Sequence, residues 1–213
     1  MHSLTAFKTR FELMWLRIIS FIRHLFYPEC NCNAIITDSR RIDFKFLKLG
    51  SGVFIFDGAR IEGISHYAGK KYSPKILIED DVKVQRFFHC TCGESITIGK
   101  STSITHNVTI TDIDHTFEYP PDHNLSPIKN PLIVTPIKIG NGCLIFPNTV
   151  ILGGTILGDN CVVAANSTVR GIFPDNCLIG GSPAKIIKRY NSVSGKWERT
   201  DKDGSFTITQ SLC

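Results

Sequence analysis

Residues 139–169 decide the fold and read, in blocks of six, IGNGCL IFPNTV ILGGTI LGDNCV VAANST V. Every block opens on an aliphatic residue, and the fifth residue of each complete block has a small or modest side chain. The aliphatic residues are Ile139, Ile145, Ile151, Leu157, Val163 and Val169, and the small ones are Cys143, Thr149, Thr155, Cys161 and Ser167. A period of six matches neither the 3.6 residues of a helical turn nor the simple alternation of a flat strand. The stretch is therefore an internal repeat, which has to be recognised before any element is assigned.

The same register extends upstream and makes the repeat the main feature of the chain. Further aliphatic residues at six-residue spacing are Leu49, Ile55 and Ile61, then Ile78 and Val84, then Ile98, Ile104 and Ile110. Insertions separate these sets and fall at 63–75, around 93–95 and at 111–137. Such spacing predicts short strands that end in sharp corners, with three edges closing one triangular coil of about 18 residues.

The structure predicted from this spacing is a parallel β-solenoid. The aliphatic residue of each block fills the interior of the coil, while Gly, Asn and Asp cluster where the backbone turns, as at 140–142 and 158–160. Neighbouring coils hydrogen-bond as parallel strands, so each repeat is stable only against its neighbours. The sequence therefore predicts an all-β fold. Spacing does not determine the hand of the coil, and the general rule for parallel crossovers favours a right-handed one.

Two further segments give the repeat its resemblance to a known family. The run DIDHTF occupies 112–117, inside the longest insertion, and GGSPAKIIK follows the last coil at 180–188. Together with the blocks of six, these segments resemble the hexapeptide-repeat acyltransferases. The resemblance is closest to the branch that O-acetylates sugars, which includes capsule, O-antigen, maltose and galactoside acetyltransferases. It covers about residues 47–190 and implies a left-handed parallel β-helix with a projecting loop, acetyl-CoA as co-substrate and a homotrimer.

A segment at each end of the chain lies outside the repeat. Residues 1–27 place apolar side chains at helical spacing among basic ones, which predicts an amphipathic N-terminal helix. Two interpretations stay open: the helix caps the exposed end of the solenoid, or it contacts the inner, anionic face of a membrane. The predicted organisation is 1–46 for the helix and a connecting segment, 47–190 for the β-helix domain, and 191–213 for a C-terminal tail that packs on the outside or against a neighbouring subunit.

Composition excludes several classes of protein. The 213 residues are 42% apolar and 20% charged, which excludes a wholly disordered chain. The longest apolar stretch, 15–27, is interrupted by Arg17, Arg23 and His24. We therefore expect neither a membrane span nor a signal peptide, and a cytoplasmic location. A net charge of +5 without a stripe of Lys and Arg gives no reason to expect nucleic acid as a partner.

The eight cysteines do not predict a metal site or disulfides. They include two C-x-C pairs instead of the C-x-x-C pairs of zinc ribbons, and a cytosolic chain keeps its thiols reduced. Cys90, Cys143 and Cys161 fall in the register of the repeat and are predicted to be small buried residues. The closely spaced His pair of a zinc-dependent γ-class carbonic anhydrase, which shares the hexads, is missing. No metal is therefore expected.

His115 is the candidate catalytic base. Acyl transfer from a thioester to a hydroxyl needs a group that takes the hydroxyl proton, and a neutral imidazole, with an ordinary pKa of about 6.5, suits that task. His115 lies near the start of the insertion at 111–137, and Asp112 and Asp114 lie close enough in sequence to orient its ring. In the sugar acetyltransferases that the chain resembles, the His at the end of this segment is the base. The resemblance implies the same role for His115.

The resemblance also implies a groove for acetyl-CoA between adjacent subunits, along the last coils. The matching positions are Pro147, Gly153, Ala165, Arg170, Lys185 and Lys188. Small residues let the pantetheine arm approach the backbone, and basic residues attract the phosphates. Relatives carry a Trp where Leu144 stands, and alternation along the strand points both Leu144 and Phe146 outward. Phe146 then either replaces the missing indole or, with Leu144, covers the trimer interface.

Three hypotheses about function follow. The leading one is an acetyl-CoA-dependent O-acetyltransferase that modifies a saccharide hydroxyl of a surface polysaccharide, such as a capsule, an O-antigen or an exopolysaccharide. The alternatives are an N-acetyltransferase acting on an amino-sugar nucleotide or a xenobiotic, and a solenoid scaffold without catalysis. The identity of the acceptor depends on how the insertions at 63–75 and 111–137 fold over the site.

Overall fold

The computed structural model describes residues 2–116, 127–201 and 204–206, so that parts of the predicted longest insertion and of the predicted tail lie outside the described residues. Within these ranges, the helix α1 (His2–Phe26) precedes a series of short strands and two 3-10 helices at Phe44–Phe46 and Pro127–Lys129. The strands are β1 (Ile35–Ile36), β2 (Ser39–Ile42), β3 (Leu47–Leu49), β4 (Phe54–Ile55), β5 (Ala59–Gly63), β6 (His66–Tyr67), β7 (Lys70–Lys71), β8 (Lys75–Ile78), β9 (Lys83–Val84), β10 (His89–Cys92), β11 (Ser95–Ile98), β12 (Ser103–Ile104), β13 (Thr109–Thr111), β14 (Ile113–His115), β15 (Leu132–Val134), β16 (Ile137–Ile139), β17 (Leu144–Ile145), β18 (Val150–Leu152), β19 (Ile156–Leu157), β20 (Val162–Val163), β21 (Thr168–Val169), β22 (Ile172–Phe173), β23 (Cys177–Gly181), β24 (Ala184–Asn191) and β25 (Lys196–Arg199).

Most of these strands form three sheets that wrap around one core. Sheet 1 has the order β1-β4-β9-β12-β17-β20-β23-β24-β25. Sheet 2 has the order β2-β5-β10-β13-β18-β21, and sheet 3 has the order β3-β8-β11-β16-β19-β22. In each coil the chain passes from sheet 3 to sheet 1 and then to sheet 2, and successive coils pair in parallel. The predicted hexapeptide β-helix, with one N-terminal helix, is confirmed.

The side chains predicted to fill the interior are buried there. The aliphatic residues that open the blocks of 139–169 are at most 1% exposed. Cys90, Cys143 and Cys161 are equally buried, as predicted, and burial raises the pKa of the Cys90 thiol. Fully burying an aliphatic side chain contributes about 1.5–3 kcal/mol. This column of side chains is therefore the main source of stability in the solenoid.

The corners of the coils use residues that tolerate a left-handed backbone. Between sheets 1 and 2, at the 1–2 corner, Gly58, Phe87, Asn107, Asn148 and Asn166 all have positive φ. The amide of Asn107 donates to Oδ1 of Asn148 at 2.9 Å, and the amide of Asn148 donates to Oδ1 of Asn166 at 3.1 Å. Asn adopts this conformation more readily than most residues that carry a side chain. The stacked amides thus hold successive turns one above the other.

The solenoid begins one coil earlier than predicted. β1 pairs in parallel with β4, and β2 pairs in parallel with β5. Cys30 and Ala34 are fully buried, and Ile36 is nearly so. The boundary predicted at residue 47 is therefore wrong, because the repeat already runs through Cys30, Ile36 and Ile42 at six-residue spacing. A cysteine at the first aliphatic position hides this coil from a search for Ile, Leu and Val.

Two antiparallel strands follow the last coil. β24 pairs with β23, and β25 pairs with β24. The rings of Tyr190 and Trp197 meet across the second pair, with centroids 6.1 Å apart. Residues 196–199 of the predicted tail therefore extend the edge of sheet 1.

The helix α1 packs on the first coil with its polar side. Ser20 donates its hydroxyl to the carbonyl oxygen of Ala34 at 2.7 Å, and Arg23 donates to the same oxygen at 2.5 Å. Nδ1 of His24 lies 3.0 Å from the carbonyl oxygen of Cys30. Hydroxyl, guanidinium and imidazole groups therefore make this contact, and they share one side of the helix.

The opposite side of α1 is apolar and exposed. Its large side chains are 41–75% exposed and comprise Met14, Trp15, Ile18, Ile19, Phe21, Ile22, Leu25 and Phe26. At 100° per residue they occupy an arc of about 160°, in which no charged residue falls between positions 14 and 26. The described part of the chain contains no helix with the length and hydropathy needed to cross a bilayer. The helix is thus amphipathic, and most of its apolar side is turned away from the solenoid, while Phe21 and Phe26 also line cavities next to the first coils.

Two of the insertions form hairpins, and both leave the solenoid between sheets 2 and 3, at the 2–3 corner. β6 and β7 pair antiparallel in the insertion between β5 and β8. β14 and β15 pair antiparallel at the base of the insertion between β13 and β16. The coil between them, which contains β10, turns this corner in a short bend at Gly93 and Glu94. A gap therefore opens between the two hairpins.

Candidate active site

The gap between the two hairpins is a groove of about 300 Å³ over sheet 2. β10 and β13 supply its floor, and the hairpins supply its walls. The residues that line it are Ile64, Tyr67, His89, Thr91, Thr109, Thr111, Ile113, His115 and Leu132. The groove thus contains the predicted base, His115, together with a second imidazole, a phenol and three threonine hydroxyls.

His115 lies on one wall of the groove, at the end of β14. Its backbone pairs with Leu132 of β15 in the antiparallel ladder. The exposed imidazole meets the ring of Tyr67 in a T-shaped contact, with centroids 5.6 Å apart and planes at 70°. Tyr67 belongs to the other hairpin. The ring contact therefore joins the two walls and restricts the orientation of the imidazole.

Asp114 and Arg170, both predicted for the site, form an ion pair. Nη2 of Arg170 lies 2.7 Å from Oδ2 of Asp114. Arg170 follows β21 at the 2–3 corner of a later coil, so the pair ties the strand that carries His115 to the body of the solenoid. The structure thus gives Arg170 a carboxylate partner, where the sequence predicts a phosphate of the donor.

Asp112 is a further residue predicted for the site. The residue is 1% exposed, and its carboxylate accepts hydrogen bonds from the successive amides of residues 93–95 at 2.6, 2.8 and 2.8 Å. The Cys92 thiol donates to the same carboxylate at 3.4 Å, and burial followed by the charge of Asp112 raises the pKa of this thiol. Asp112 therefore holds the short bend between the hairpins. The structure thus gives this carboxylate a role in the bend, where the sequence predicts that it orients the ring of His115.

Gly153, predicted to face the donor, is buried beneath the longest insertion. A Cβ at this position would lie 3.1 Å from the carbonyl oxygen of Asp112 and 3.3 Å from that of Thr135. These two residues lie at the start and the end of the insertion. The missing side chain therefore leaves room for the backbone at the two ends of the insertion. The structure gives Gly153 this role, where the sequence predicts that it makes room for pantetheine.

His89 is a groove residue that the sequence prediction leaves out. It lies on β10 between the buried residues Phe88 and Cys90, and its Nε2 is 3.0 Å from Oγ1 of Thr91. Burial, followed by the positive charge of Arg60, lowers the pKa of His89. The imidazole is therefore uncharged at neutral pH. Because Cys90 points inward, alternation along the strand predicts that the side chain of His89 points outward. The sequence does not show that a groove lies above this side chain.

Other residues predicted for the donor lie at the 1–2 corner. Leu144 and Phe146 flank a buried isoleucine and point outward, as alternation predicts, and Phe146 is 38% exposed. Pro147 and Ala165 belong to successive coils at this corner, where the carbonyl oxygen of Pro147 accepts a hydrogen bond from the amide of Asn166 at 3.0 Å. This corner presents an aromatic ring beside small and partly exposed side chains.

The lysines predicted to bind the donor lie on β24, the first of the two strands that follow the last coil. Lys185 and Lys188 of β24 pair with Gly180 and Leu178 of β23. β18 runs from the 1–2 corner to the 2–3 corner. Within one chain, His115 and the donor positions at the 1–2 corner therefore lie beyond opposite ends of the strands of sheet 2.

Comparisons with known proteins agree with this architecture. Residues 136–171 match the family model for bacterial transferase hexapeptide (six repeats). WbbJ of Escherichia coli (strain K12), which carries the name of a lipopolysaccharide biosynthesis O-acetyl transferase, is 40% identical over 128 residues, or 58% of this chain and 65% of that protein. The galactoside O-acetyltransferase of the same strain is 34% identical over 97 residues, or 46% of this chain and 45% of that protein. The chain thus spans less than two thirds of the length of these relatives.

A solved structure adds a likeness in fold. AntD, an N-acyltransferase from Bacillus cereus in complex with dTDP and 3-hydroxybutyryl-CoA, aligns with a TM-score of 0.59 at 18% identity, over 76% of this chain and 82% of that chain. At this identity the likeness concerns the fold alone. The repeat of six and the three parallel sheets thus identify residues 136–171 as hexapeptide repeats of the bacterial transferase type, in a chain that is similar to sugar O-acetyltransferases over part of its length.

Proposed function

We propose that the protein transfers the acetyl group of acetyl-CoA to a saccharide hydroxyl, in the modification of a surface polysaccharide. The observation that carries the proposal is the groove over sheet 2, where the imidazole of His115 stands beside a floor of hydroxyl groups. Two relatives that carry the names of O-acetyltransferases support the reaction class. Neither the N-acetyltransferase nor the scaffold hypothesis accounts as directly for an imidazole in a hydroxyl-lined groove.

In the proposed reaction His115 acts as the general base. Its imidazole takes the proton of the acceptor hydroxyl while the hydroxyl oxygen attacks the thioester carbonyl carbon. The tetrahedral intermediate collapses with cleavage of the C–S bond, and the imidazolium returns the proton to the CoA thiolate. The products are an acetyl ester and free CoA. The ring of Tyr67 and the pair of Asp114 and Arg170 position the base, and correct positioning of reacting groups lowers the barrier of such a reaction.

We infer that a complete site needs a second copy of the chain. His115 lies at the 2–3 corner, whereas Phe146, Pro147 and Ala165 lie at the 1–2 corner, close to the outward Leu144 of β17. A thioester bound at the 1–2 corner meets the imidazole if the two corners belong to neighbouring molecules. Cyclic association of three triangular prisms brings these corners together three times. A homotrimer with inter-subunit sites is therefore part of the proposal.

The proposed donor site lies at the 1–2 corner. Phe146 stands beside the thioester there and takes over the role of the indole that the resemblance expects at the position of Leu144. Lys185 and Lys188 attract the phosphates of CoA. Arg170 is not part of this set, because Asp114 already neutralises its charge.

The apolar side of α1 is exposed, and we propose that it binds an anionic membrane surface. The helix uses Ser20, Arg23 and His24 against the solenoid, so its apolar arc is free to face lipid. Exposed apolar surface of this extent marks an interaction site on a soluble protein. Interfacial helices combine such a side with an aromatic anchor and basic flanks, which Trp15 and Arg17 supply.

Vesicles test this contact. The protein should sediment with vesicles that contain phosphatidylglycerol and much less with phosphatidylcholine alone, because basic side chains favour anionic lipid. Replacing both Ile18 and Ile22 with Ser should abolish sedimentation without lowering the Tm, since both are exposed. Val193→Ser, which changes an exposed apolar residue outside α1, should leave sedimentation intact. If the wild type does not bind vesicles, and the Ile18 and Ile22 variant forms a smaller oligomer than the wild type, the apolar side joins copies of the chain instead.

The proposed reaction is tested on protein whose oligomeric mass is determined by light scattering and should be that of a trimer. Thiol release from acetyl-CoA should require a saccharide and should equal the amount of acetyl ester formed, which hydroxylamine cleaves. Acetylation of an amino-sugar nucleotide at its amine, with no ester from any saccharide, would support the N-acetyltransferase instead. Full activity of a monomer would contradict the inter-subunit site.

A further inference from the structure

We infer that the groove over sheet 2 binds one uncharged sugar ring of the acceptor, and that Tyr67, His89 and Thr91 select it. The inference rests on the proposed function, because it names the kind of ring that brings a hydroxyl to His115. The family match at 136–171 does not reach these three residues. Their role follows from the geometry of the groove.

The floor of the groove places hydrogen-bonding groups at the spacing of a sugar ring. His89 of β10 pairs in register with Thr109 of β13. Thr91 pairs in the same way with Thr111. Neighbouring strands are about 5 Å apart and alternate residues about 7 Å apart, so the four groups form a rectangle close to the size of one pyranose. The hydrogen bond between Oγ1 of Thr91 and Nε2 of His89, at 3.0 Å, holds two of these groups in place before a ligand arrives.

The walls of the groove offer apolar surface to the faces of such a ring. A pyranose has C–H groups on its faces and hydroxyls on its rim, so an aromatic ring binds a face while the floor binds the rim. Tyr67 supplies the aromatic ring, and Ile64, Ile113 and Leu132 complete the apolar lining. The Tyr67 and His115 ring centroids are 5.6 Å apart. A sugar packed against Tyr67 therefore lies next to the imidazole that takes the proton.

The charges around the groove disfavour ionised sugars. None of the nine described residues that line it carries a carboxylate, an ammonium or a guanidinium group. Arg60 and Glu62 lie beside His89 and Thr91 in register, but they form an ion pair with each other at 2.5 Å. The imidazole of His89 is uncharged at neutral pH, because its pKa is lowered. A uronic acid or a protonated amino sugar would lose its hydration here without gaining a partner.

The test uses four methyl glycosides as probes: those of glucose, galactose, glucuronic acid and glucosamine. Saturation-transfer NMR measures binding without acetyl-CoA, and thiol release measures turnover. The glucose or galactose glycoside should bind and react, and the two charged glycosides should bind at least about tenfold more weakly. Tyr67→Ala should raise the Kd and the KM for the neutral glycoside about five- to tenfold and leave the KM for acetyl-CoA unchanged. Tyr67→Phe should bind the neutral glycoside more tightly than Tyr67→Ala, because it keeps the aromatic face.

Tyr27→Ala is the matched control, because Tyr27 is an exposed tyrosine that does not line the groove. Equal binding of neutral and charged glycosides, or an unchanged Kd in Tyr67→Ala, would overturn the inference, while thiol release would still support the acetyltransferase. If no glycoside supports thiol release but Tyr67→Ala abolishes an NMR-detected contact, the sugar groove stands and the proposed transfer fails.

Discussion

Replacing His115 with Ala should lower kcat about 10²- to 10⁴-fold, the range lost when a general base is removed. The KM for acetyl-CoA should stay nearly constant, because in the proposed site the residues of the 1–2 corner and the two lysines bind the donor, while His115 acts on the proton of the acceptor. Steady-state thiol release, with a saccharide that the wild type acetylates, measures both constants.

His66→Ala is the matched control for this experiment. His66 is exposed on the neighbouring hairpin but does not line the groove, so its loss should leave kcat within about twofold of the wild type. A His115→Ala variant that keeps more than about a tenth of the wild-type kcat contradicts the assignment of the base.

Replacing Asp112 with Ala should lower the free energy of unfolding by about 3 kcal/mol or more, because three amides of the bend at 93–95 lose their acceptor in a buried place. Asp112→Asn should lose less, since it keeps one acceptor oxygen. Denaturant unfolding at a fixed protein concentration measures the difference, and that concentration matters for any oligomer.

Asp114→Ala is the control, because it removes a carboxylate from the same segment and leaves the hydrogen bonds between Asp112 and the bend in place. The ion pair of Asp114 with Arg170 is partly exposed, so the expected cost to stability is below about 1 kcal/mol. If Asp112→Ala is no less stable than Asp114→Ala, the hydrogen bonds of Asp112 do not hold the bend.

The core of the solenoid could be predicted from the sequence alone, for a physical reason. Each coil repeats the same burial problem, so an aliphatic residue recurs wherever the chain meets the interior. The first coil escaped prediction because Cys30 occupies an aliphatic position. Burial shows that cysteine serves there as a small apolar residue.

The candidate site was harder to predict, because its contacts join residues far apart in the chain. Asp112 follows the outward Thr111, so alternation alone indicates an inward side chain, and that signal was available. The partner of Arg170, by contrast, depends on how the longest insertion folds back over a later coil. Tyr67 reaches the groove only because two hairpins leave neighbouring parts of one corner, which no local pattern encodes.

The arrangement of those hairpins determines how this fold can change its acceptor. They leave the solenoid after β5 and β13, with only β10 between them in sheet 2, so about 10 Å separates their bases. Moving one hairpin to an adjacent coil would change that span by one strand spacing, about 5 Å, with no intermediate value. Lengthening the bend at 93–95 would fill the gap instead. The width of the acceptor groove in such a chain should therefore change in discrete steps, through insertions and deletions at a single corner.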